Sequence, residues 1–539
     1  MLCTLTTDVF LIALAICTFL AYQWILARRT LRLPPGPPPD PFLGNLRQMA
    51  TFESQQDTFA EWGKSYGDVM HAKVFGRSLI ILNSLKAARD LMEKRSANYS
   101  CRPRLVLLVE LMGWDSVLTN MPYGERFRKH RKLIQEAFTP QAILAFRPLQ
   151  RMETCMLLLG LLEKPQSFMA LVRRFAAATI MKITYGHTVK SVDELYVRLA
   201  EEAGTDTINS GSPGSMLVDF LYANHSISEA IWMLKNNVMC SSPALKYLPT
   251  WMPGAGFKRH AFKTREKVRR MIDAPFQMVK RTIAAGTAIP SFTSSLIVEK
   301  EADDSYNLDE EEDIKGAAGV LYGAATDTTT ALLDTFFLTM VLNPEVQEKA
   351  REEIDRVIGS DRLPDFDDRE SLPYLECVIK EIYRWASPVP LGLPHRSVND
   401  DKYRGYDIPG DTIIVPNIWA MTRDKDMYAE PHLFRPERFM DQDSDAAERT
   451  DPKNAIFGFG RRVCPGQWFG DANIWLIAAN VLATFRISRM RDEFGEEIVP
   501  PGEFTSNFVR HPKPFKCDIK PRSQQAVDLI HETINTLAV

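Results

Sequence analysis

The chain has 539 residues, a formal net charge of −3 at pH 7 and a hydrophobic content of 45%. This length allows a large core in one or more domains, and the near-neutral charge gives no basis for expecting a nucleic-acid partner. The eight cysteines are scattered and include no Cys-x-x-Cys pair. They therefore predict neither a disulfide scaffold nor a zinc ribbon, and they suit a reducing compartment.

Residues 9–27 form an apolar run without charge that is long enough to cross a bilayer as one helix. The charged residues that flank it are Asp8 before it and Arg28, Arg29 and Arg32 after it. By the positive-inside rule, residues 1–8 face the lumen and the rest of the chain faces the cytosol. The alternative is a cleaved signal peptide, which is disfavoured because no basic residue precedes the run and no small-x-small cleavage site follows it.

A basic and proline-rich linker follows at residues 28–40. Successive prolines fix φ and favour a stiff, extended chain. We expect this linker to hold one globular domain, residues 41–539, at a set orientation above the membrane.

The first part of the domain combines a hairpin with helices. Short β-branched and aromatic runs in residues 68–82, broken by Gly76, predict the hairpin. Residues 99–123 are apolar but lack a clear period, so a buried helix and a ligand-facing loop are both open. Residues 124–138 predict a helix with a basic face, and such a face is usually solvated.

Residues 221–242 form an unusually long connection, for which two explanations are open. The first is an additional amphipathic helix near the membrane. The second is a retained intron in the gene model, because the codons possible at residues 221–223 and 240–241 can contain a splice donor and a splice acceptor. Sequencing of the transcript distinguishes them, since a message that carries this segment in most copies excludes the intron.

Acidic residues after Leu308, and Asn343 followed by Pro344, predict the two ends of a long helix over 308–342. Its centre, residues 323–330, is rich in β-branched and short polar residues, which are poor helix formers. A threonine hydroxyl can bond the carbonyl one turn earlier and bend the helix, and an acid beside a hydroxyl makes a proton relay. The alternative is a threonine-rich helix surface.

Residues 457–466 place Cys464 among glycines and arginines, before an apolar run at 468–485 that predicts a buried helix. Glycines let the backbone approach a flat ligand closely. A thiolate in a partly apolar site needs positive charge or a metal to stay ionised, and Arg462 can neutralise an anionic group of the ligand. The alternative is a helix-entry loop that happens to contain a cysteine.

This loop resembles the haem-thiolate loop of the cytochrome P450 family, Phe-x-x-Gly-x-Arg-x-Cys-x-Gly. The matching residues are Phe457, Gly460, Arg462, Cys464 and Gly466. Further motifs of the family match at Ala324, Asp327, Thr328 and Thr329, at Glu381 with Arg384, and at Arg438. The resemblance covers essentially the whole chain and implies the cytochrome P450 fold, mainly α with small β-sheets, and a single-pass N-terminal membrane anchor.

The resemblance also implies a heme b cofactor with Cys464 as the axial ligand of its iron. The residues that it makes cofactor-binding candidates are Phe457, Gly460, Arg462 and Gly466 in the loop, and Arg131, His130 and His395 at the haem propionates. Phe127 stands where the family has a tryptophan, which removes one hydrogen bond to a propionate.

The catalytic roles implied by the resemblance belong to Thr328, which positions the bound dioxygen, and to Asp327, which connects protons to solvent. Glu381, Arg384 and Arg438 are implied as a buried structural network and not as catalysts. Residues 389–393 and 504–509 are implied as walls of the substrate site.

The implied function is that of a fungal microsomal haem-thiolate monooxygenase, in the endoplasmic reticulum membrane with its catalytic domain in the cytosol. Its substrate would be a hydrophobic small molecule such as a terpenoid, polyketide or aromatic alkaloid. The chain has no dinucleotide fingerprint or flavin domain, so electrons from NADPH would come through a separate cytochrome P450 reductase, with cytochrome b5 as a second candidate donor. The alternatives are desaturation or ring rearrangement by the same haem, a haem-binding protein without turnover, and a helical scaffold without cofactor.

Overall fold

The computed structural model of the protein describes residues 31–41, 43–50, 54–74, 76–209, 249–252 and 255–537. The predicted membrane helix at 9–27 and the segment at 221–242 lie outside these residues. Within the described part of the chain, no helix combines the length and the apolar character that are needed to cross a membrane.

Helices dominate the described residues, and the prediction of a mainly α fold with small sheets is confirmed. The α-helices are α1 (Gln55–Tyr66), α2 (Leu85–Ala88), α3 (Ser96–Tyr99), α4 (Glu125–Ala137), α5 (Arg147–Glu163), α6 (Phe168–Tyr185), α7 (Leu195–Asn209), α8 (Gly256–Ala284), α9 (Phe292–Ala302), α10 (Leu308–Leu342), α11 (Pro344–Val357), α12 (Pro373–Trp385), α13 (Ile418–Met421), α14 (Ser444–Thr450), α15 (Lys453–Ile456), α16 (Gln467–Thr484) and α17 (Gln524–Leu537).

The strands are short and form small separate sheets. They are β1 (Val69–Val74), β2 (Arg77–Leu82), β3 (His395–Arg396), β4 (Asp401–Tyr403), β5 (Tyr406–Ile408), β6 (Ile413–Pro416), β7 (Phe485–Ser488), β8 (Met490–Arg491), β9 (Glu497–Ile498) and β10 (Asp518–Pro521). One sheet has the order β1-β2-β6-β3, in which only β2 and β6 run parallel. The antiparallel pair β1 and β2 confirms the predicted hairpin.

Helix α10 is the central helix of the fold. The side chain of Asn307 caps its start by accepting hydrogen bonds from the backbone N–H groups of Asp309 and Glu310, both at 3.0 Å. Pro344 follows its end, as expected for a residue that cannot continue the helix. The helix packs against α4, α6, α8, α12 and α16. A helix that is apolar on most sides has to be buried in this way.

The largest hydrophobic core lies where α10 meets α6, α12 and α16. Trp475 on α16 is fully buried there, together with Phe336 and Phe337 of α10 and Phe175 of α6. This core fixes α16, and therefore the loop that contains Cys464 immediately before it, relative to the central helix.

The described part of the proline-rich linker, residues 31–40, is docked on the domain. The carbonyl of Pro35 accepts a hydrogen bond from the backbone N–H of His71 on β1 at 2.9 Å. The backbone N–H of Arg32 donates to the Asp407 carboxylate at 2.8 Å. These contacts hold the described part of the linker against the sheet.

The irregular stretch 99–123 contains a short helical turn at Val106–Leu111. Its apolar side chains pack against Phe257 and Ala261 of α8. The structure therefore shows neither a long buried helix nor an open loop at Val106–Leu111. It shows a short helical turn in a small hydrophobic cluster.

Candidate active site

Cys464 lies between a 3-10 turn at Gly460–Arg462 and the start of α16. Its backbone N–H donates to the carbonyl of Phe457 at 2.7 Å, which closes the loop. Burial raises the pKa of the Cys464 thiol, while a backbone N–H at Gly466 and the positive charge of Arg131 oppose that rise. A thiolate at this position therefore requires a further cation, such as a metal ion, to remain ionised.

Gly460 lets this loop approach a neighbouring segment closely. Its φ of +55° is in the left-handed region, which favours glycine. A Cβ there would lie 2.2 Å from the backbone carbonyl oxygen of Met92. Both observations explain why the loop has glycine at this position.

Arg462 and Arg131 lie beside Cys464, and both guanidinium groups donate to backbone carbonyls. Arg462 donates to Ser100 at 2.8 Å and to Met121 at 2.6 Å, and it stacks 3.7 Å from the ring centroid of Phe127. Arg131 donates to the carbonyl of Val463. Phe127 thus supports Arg462 through the face of its ring.

Arg102, which the sequence did not indicate, extends this group into a cluster of three arginines, in which Arg102 is buried and the other two are partly buried. It donates to the carbonyl oxygens of Thr119, Leu393 and Pro394, each at 2.8 Å. Burial and the charge of Arg462 hold the pKa of Arg102 well below its usual value. Burial likewise lowers the pKa of Arg462 to about 10, with the charge of Arg131 acting in the same direction.

Within the described residues, none of the three arginines forms an ion pair with a carboxylate. Buried charges in proteins are normally paired, because an unpaired one carries a large desolvation cost. The cluster of Arg102, Arg131 and Arg462 therefore fits an anionic ligand bound next to Cys464.

His395 on β3 adjoins this arginine cluster. Its Nδ1 donates to the carbonyl of Tyr99 at 2.6 Å, and the ring is buried. Burial, with the charges of Arg102 and Arg462, lowers the pKa of His395 well below its usual value. An anion bound among these groups would raise that pKa again and allow Nε2 to donate a hydrogen bond.

His130 was predicted as a further contact for the cofactor, and the structure does not bring it to the Cys464 loop. Its Nε2 lies 2.9 Å from the carboxylate of Asp313 on α10, and its ring packs against Gly316. Arg126 and Lys129 also bond Asp313. The reason is that the inner face of α4 meets an acidic turn of α10, which holds the imidazole between the two helices.

The central turns of α10 differ from the rest of that helix in exposure. Residues 313–322 and 329–341 are buried, whereas residues 323–328 are intermediate or exposed. The hydroxyl of Thr328 donates to the carbonyl of Ala324 at 2.9 Å, which is the hydrogen bond expected from the sequence. Asp327 Oδ1 lies 3.0 Å from Nε2 of His511, a residue that the sequence did not indicate.

Glu381, Arg384 and Arg438 form one buried network. Arg384 binds both carboxylate oxygens of Glu381, at 2.7 and 2.8 Å, and Arg438 reaches the same carboxylate at 3.2 Å. The backbone N–H of Arg435 adds a fourth hydrogen bond to Glu381 at 2.7 Å. Arg384 also donates to the carbonyls of Thr422, Pro431 and Leu433, and so ties α12 to the segment that precedes the Cys464 loop.

A sequence model described as cytochrome P450 matches residues 34–519 of this chain. The chain belongs to the cytochrome P450 family. Cytochrome P450 monooxygenase 176 of Postia placenta is 43% identical over 535 residues, which are 99% of each chain. Cytochrome P450 monooxygenase claR of Ampulloclitocybe clavipes is 42% identical over 527 residues, 96% of this chain and 92% of the relative. The protein is therefore an oxidoreductase of the monooxygenase type.

Cytochromes P450 use a haem whose iron is ligated by a cysteine, and the residues of this chain fit that group. Cys464 supplies a buried thiol that needs a cation. Arg102, Arg131 and Arg462 supply positive charge without a carboxylate partner among the described residues, which suits the two propionates. In this P450, heme b would be held by Cys464 through its iron and by the arginine cluster through its carboxylates.

Two residues of this site, Arg102 and His511, were not predicted from the sequence. Arg102 lies in the irregular stretch 99–123, where no period or motif distinguishes it from other arginines. His511 lies in the C-terminal tail, 184 positions from Asp327. Neither has a local signal, because both become part of the site only through contacts between distant segments.

Proposed function

We propose that this P450 hydroxylates a hydrophobic small molecule, using O2 and electrons that NADPH supplies through a separate cytochrome P450 reductase. In the balanced reaction, one oxygen atom enters a C–H bond of the substrate. The other is reduced to water by two electrons and two protons. The observations that support this proposal are the Cys464 loop at the start of α16 and, on the neighbouring helix α10, the turn at residues 323–328 that is not buried.

When bound, the haem supplies dioxygen activation and C–H oxidation, and an anionic sulfur ligand favours O–O cleavage. The residues of the chain bind, orient and move protons around it. Arg102, Arg131 and Arg462 neutralise the propionates. Glu381 with its two arginines holds the segments beneath the site in place.

Thr328 and Asp327 are the residues that we assign to the oxygen side of the site. The Thr328 hydroxyl donates to the carbonyl of Ala324 and keeps its oxygen lone pairs free to accept a hydrogen bond from water. Asp327 is the adjacent acid, and its side chain is 46% exposed. This exposure supports a role in exchanging protons with water.

The apolar character of the surrounding segments supports a hydrophobic substrate. Val106, Leu107 and Leu108 are buried in the turn before α4, and Phe504 in the C-terminal tail packs edge-on against Trp385. Sites for small molecules are typically lined by such residues with few polar groups. A terpenoid, polyketide or aromatic alkaloid of fungal secondary metabolism would satisfy this requirement.

A basic groove beside the Cys464 loop supports docking of an acidic redox partner. It is lined by Arg128, Lys132 and Arg461, whose side chains are exposed, together with Gly460 and Val463. Glu136 is the acidic residue in this lining, so the groove carries an excess of positive charge. Such an excess steers an oppositely charged partner and gives it a defined orientation. We assign this groove to the reductase, with cytochrome b5 as an additional candidate.

We further propose that residues 9–27 anchor the protein in the endoplasmic reticulum membrane with the catalytic domain in the cytosol. The apolar run and the arginines that follow it support this topology. Protease protection of microsomes tests it. Complete digestion of the domain from the cytosolic side is expected, and protection of the domain would contradict the topology.

The proposed activity is tested by expression of the full chain with a reductase, followed by metabolite profiling under 18O2. The expected result is a product that carries one labelled oxygen atom and that forms only with NADPH. Desaturation would instead give an unlabelled product two hydrogens lighter. Absence of any NADPH-dependent product with a correctly loaded haem would contradict the proposal and favour a binding protein.

A further inference from the structure

His511 is held rigidly against the central helix. Its backbone N–H donates to Thr505 Oγ1 at 3.1 Å, and its carbonyl accepts from the Thr505 N–H at 2.8 Å. The neighbouring Arg510 N–H donates to the carbonyl of Pro388 at 2.8 Å. These bonds fix the imidazole at the point where its Nε2 meets Asp327 at 3.0 Å.

The imidazole also reaches the surface, because 21% of the His511 side chain is exposed. It therefore has water on one side and the carboxylate of Asp327 on the other. Histidine is the side chain whose ordinary pKa allows it both to take up and to release a proton near neutral pH. Asp327 has no other hydrogen-bonding side chain among the described residues.

A second carboxylate lies two helical turns further along the same face of α10. Asp334 follows Asp327 by seven positions, which returns it to nearly the same side of a helix with 3.6 residues per turn. Its side chain is buried, and its Oδ1 has no hydrogen-bond partner among the described residues. An unsatisfied buried carboxylate oxygen is unusual in a folded protein and calls for a specific reason.

The charged groups that face Asp334 are His511 from the C-terminal tail and Arg173 from α6. Arg173 is itself paired with Glu201 of α7 at 2.6 Å. Burial raises the pKa of Asp334 to about 7, and the charges of His511 and Arg173 oppose that rise.

We propose that His511 transfers protons from solvent to Asp327, whose Oδ1 lies 3.0 Å from its Nε2. The proton on Nε2 passes to Asp327 Oδ1, and the imidazole regains a proton from water. Nothing is oxidised or reduced in this step. His511 is a positioning residue, since it acts on the reaction only through Asp327, and the inference rests on the monooxygenase function proposed above.

The test compares His511→Gln with His187→Gln in the full-length haem protein with its reductase. His187 is a matched control, because it pairs with Glu194 at 2.9 Å with similar exposure but lies in the connection that follows α6. Glutamine keeps a hydrogen-bond donor in place but cannot relay a proton. We expect product per NADPH to fall about tenfold in His511→Gln, with the missing electrons appearing as hydrogen peroxide, and to be unchanged in His187→Gln.

A second measurement separates proton transfer from a merely structural role. Hydrogen peroxide used as the oxidant brings its own protons, so peroxide-driven product formation should change less than twofold in His511→Gln. Equal losses with NADPH and with peroxide would show a structural role and overturn the inference. Wild-type coupling in His511→Gln would overturn it as well.

A third measurement does not depend on turnover and so separates this inference from the proposed function. Ring-15N-labelled histidine allows NMR titration of the ferrous–CO form, in which the His511 signal is identified by its loss in His511→Gln. We expect the Nε2 signal of His511 to shift in Asp327→Asn, because that variant replaces the carboxylate that lies 3.0 Å from Nε2. An unchanged His511 signal in this variant would overturn the proposal, whereas absence of turnover by the wild type would contradict only the monooxygenase function.

Discussion

Two carboxylates of this P450 pair with cations in contrasting ways. Glu381 is fully buried and receives hydrogen bonds from Arg384, Arg438 and the backbone of Arg435. Asp327 is half-exposed and has His511 as its single side-chain partner among the described residues. The comparison shows that burial and the number of hydrogen bonds distinguish a carboxylate that is enclosed in the fold, Glu381, from one that remains accessible to water, Asp327.

The largest loss of stability is expected when the buried carboxylate, Glu381, is replaced. Glu381→Gln would leave Arg384 and Arg438 buried without their anion, at a cost of about 3–5 kcal/mol. We expect a corresponding loss of unfolding free energy in denaturant titration and little haem-loaded protein. Glu201→Gln removes the exposed partner of Arg173 and should cost less than about 0.5 kcal/mol, so similar losses in both variants would contradict the distinction.

Asp334 is a buried carboxylate without the partners of Glu381, and it should make stability depend on pH. Its pKa is raised from 3.8 to about 7, chiefly by burial, so the folded state favours the protonated acid. The contribution of Asp334 to the free energy of unfolding is fully present below pH 4. It is lost as the pH rises towards 7, and the total loss is at most about 4 kcal/mol. In urea titrations, Asp334→Asn should gain stability relative to the wild type over this interval, and a difference independent of pH would contradict the assignment.

The cluster of Arg102, Arg131 and Arg462 is a third case, because the negative charge that pairs with it would come from the haem propionates. Arg462→Gln removes one of three buried or partly buried charges that have no carboxylate partner within the described structure. We expect haem to dissociate about tenfold faster, which corresponds to about 1.4 kcal/mol. Transfer of haem to apomyoglobin measures this rate. Lys132→Gln, which changes an exposed charge on α4, should leave it unchanged, and equal rates for Arg462→Gln and the wild type would argue against propionate binding.

The smallest change in unfolding free energy is expected at Asp327, the half-exposed carboxylate. Asp327→Asn should alter the unfolding free energy by less than about 0.5 kcal/mol, because a half-exposed pair contributes little. It should nevertheless reduce NADPH-driven coupling about tenfold through loss of proton delivery. Parallel measurement of unfolding and coupling checks both parts, and a large loss of stability would place Asp327 with the structural carboxylates.

Local signals in the sequence predicted the central helix and the main loop. The bounds 308–342 agree with α10 because a cap at one end and Asn343 with Pro344 at the other act within a few residues. The Cys464 loop was recognisable because its spacing resembles a family motif. The bond from the Thr328 hydroxyl to Ala324 also follows from local helix geometry.

Features that depend on distant contacts could not be predicted from the sequence. Arg102 and His511 acquire partners almost 300 and 184 positions away, respectively. His130 was predicted as a contact of the haem propionates. Its contact with Asp313 could not be predicted, because α4 is basic on several faces and the sequence does not show which face meets α10. The linker was expected to act as a spacer, but its docking on β1 required knowledge of the sheet surface.

The central claim is that Cys464 ligates the haem iron of a functional P450. The most direct measurement is the absorption spectrum of the reduced, CO-bound wild-type protein beside Cys464→Ser and Cys517→Ser. Cys517 is a buried cysteine remote in sequence from the loop and serves as the matched control. We predict the red-shifted thiolate band for the wild type and Cys517→Ser, and its loss in Cys464→Ser. Retention of that band in Cys464→Ser would contradict the account.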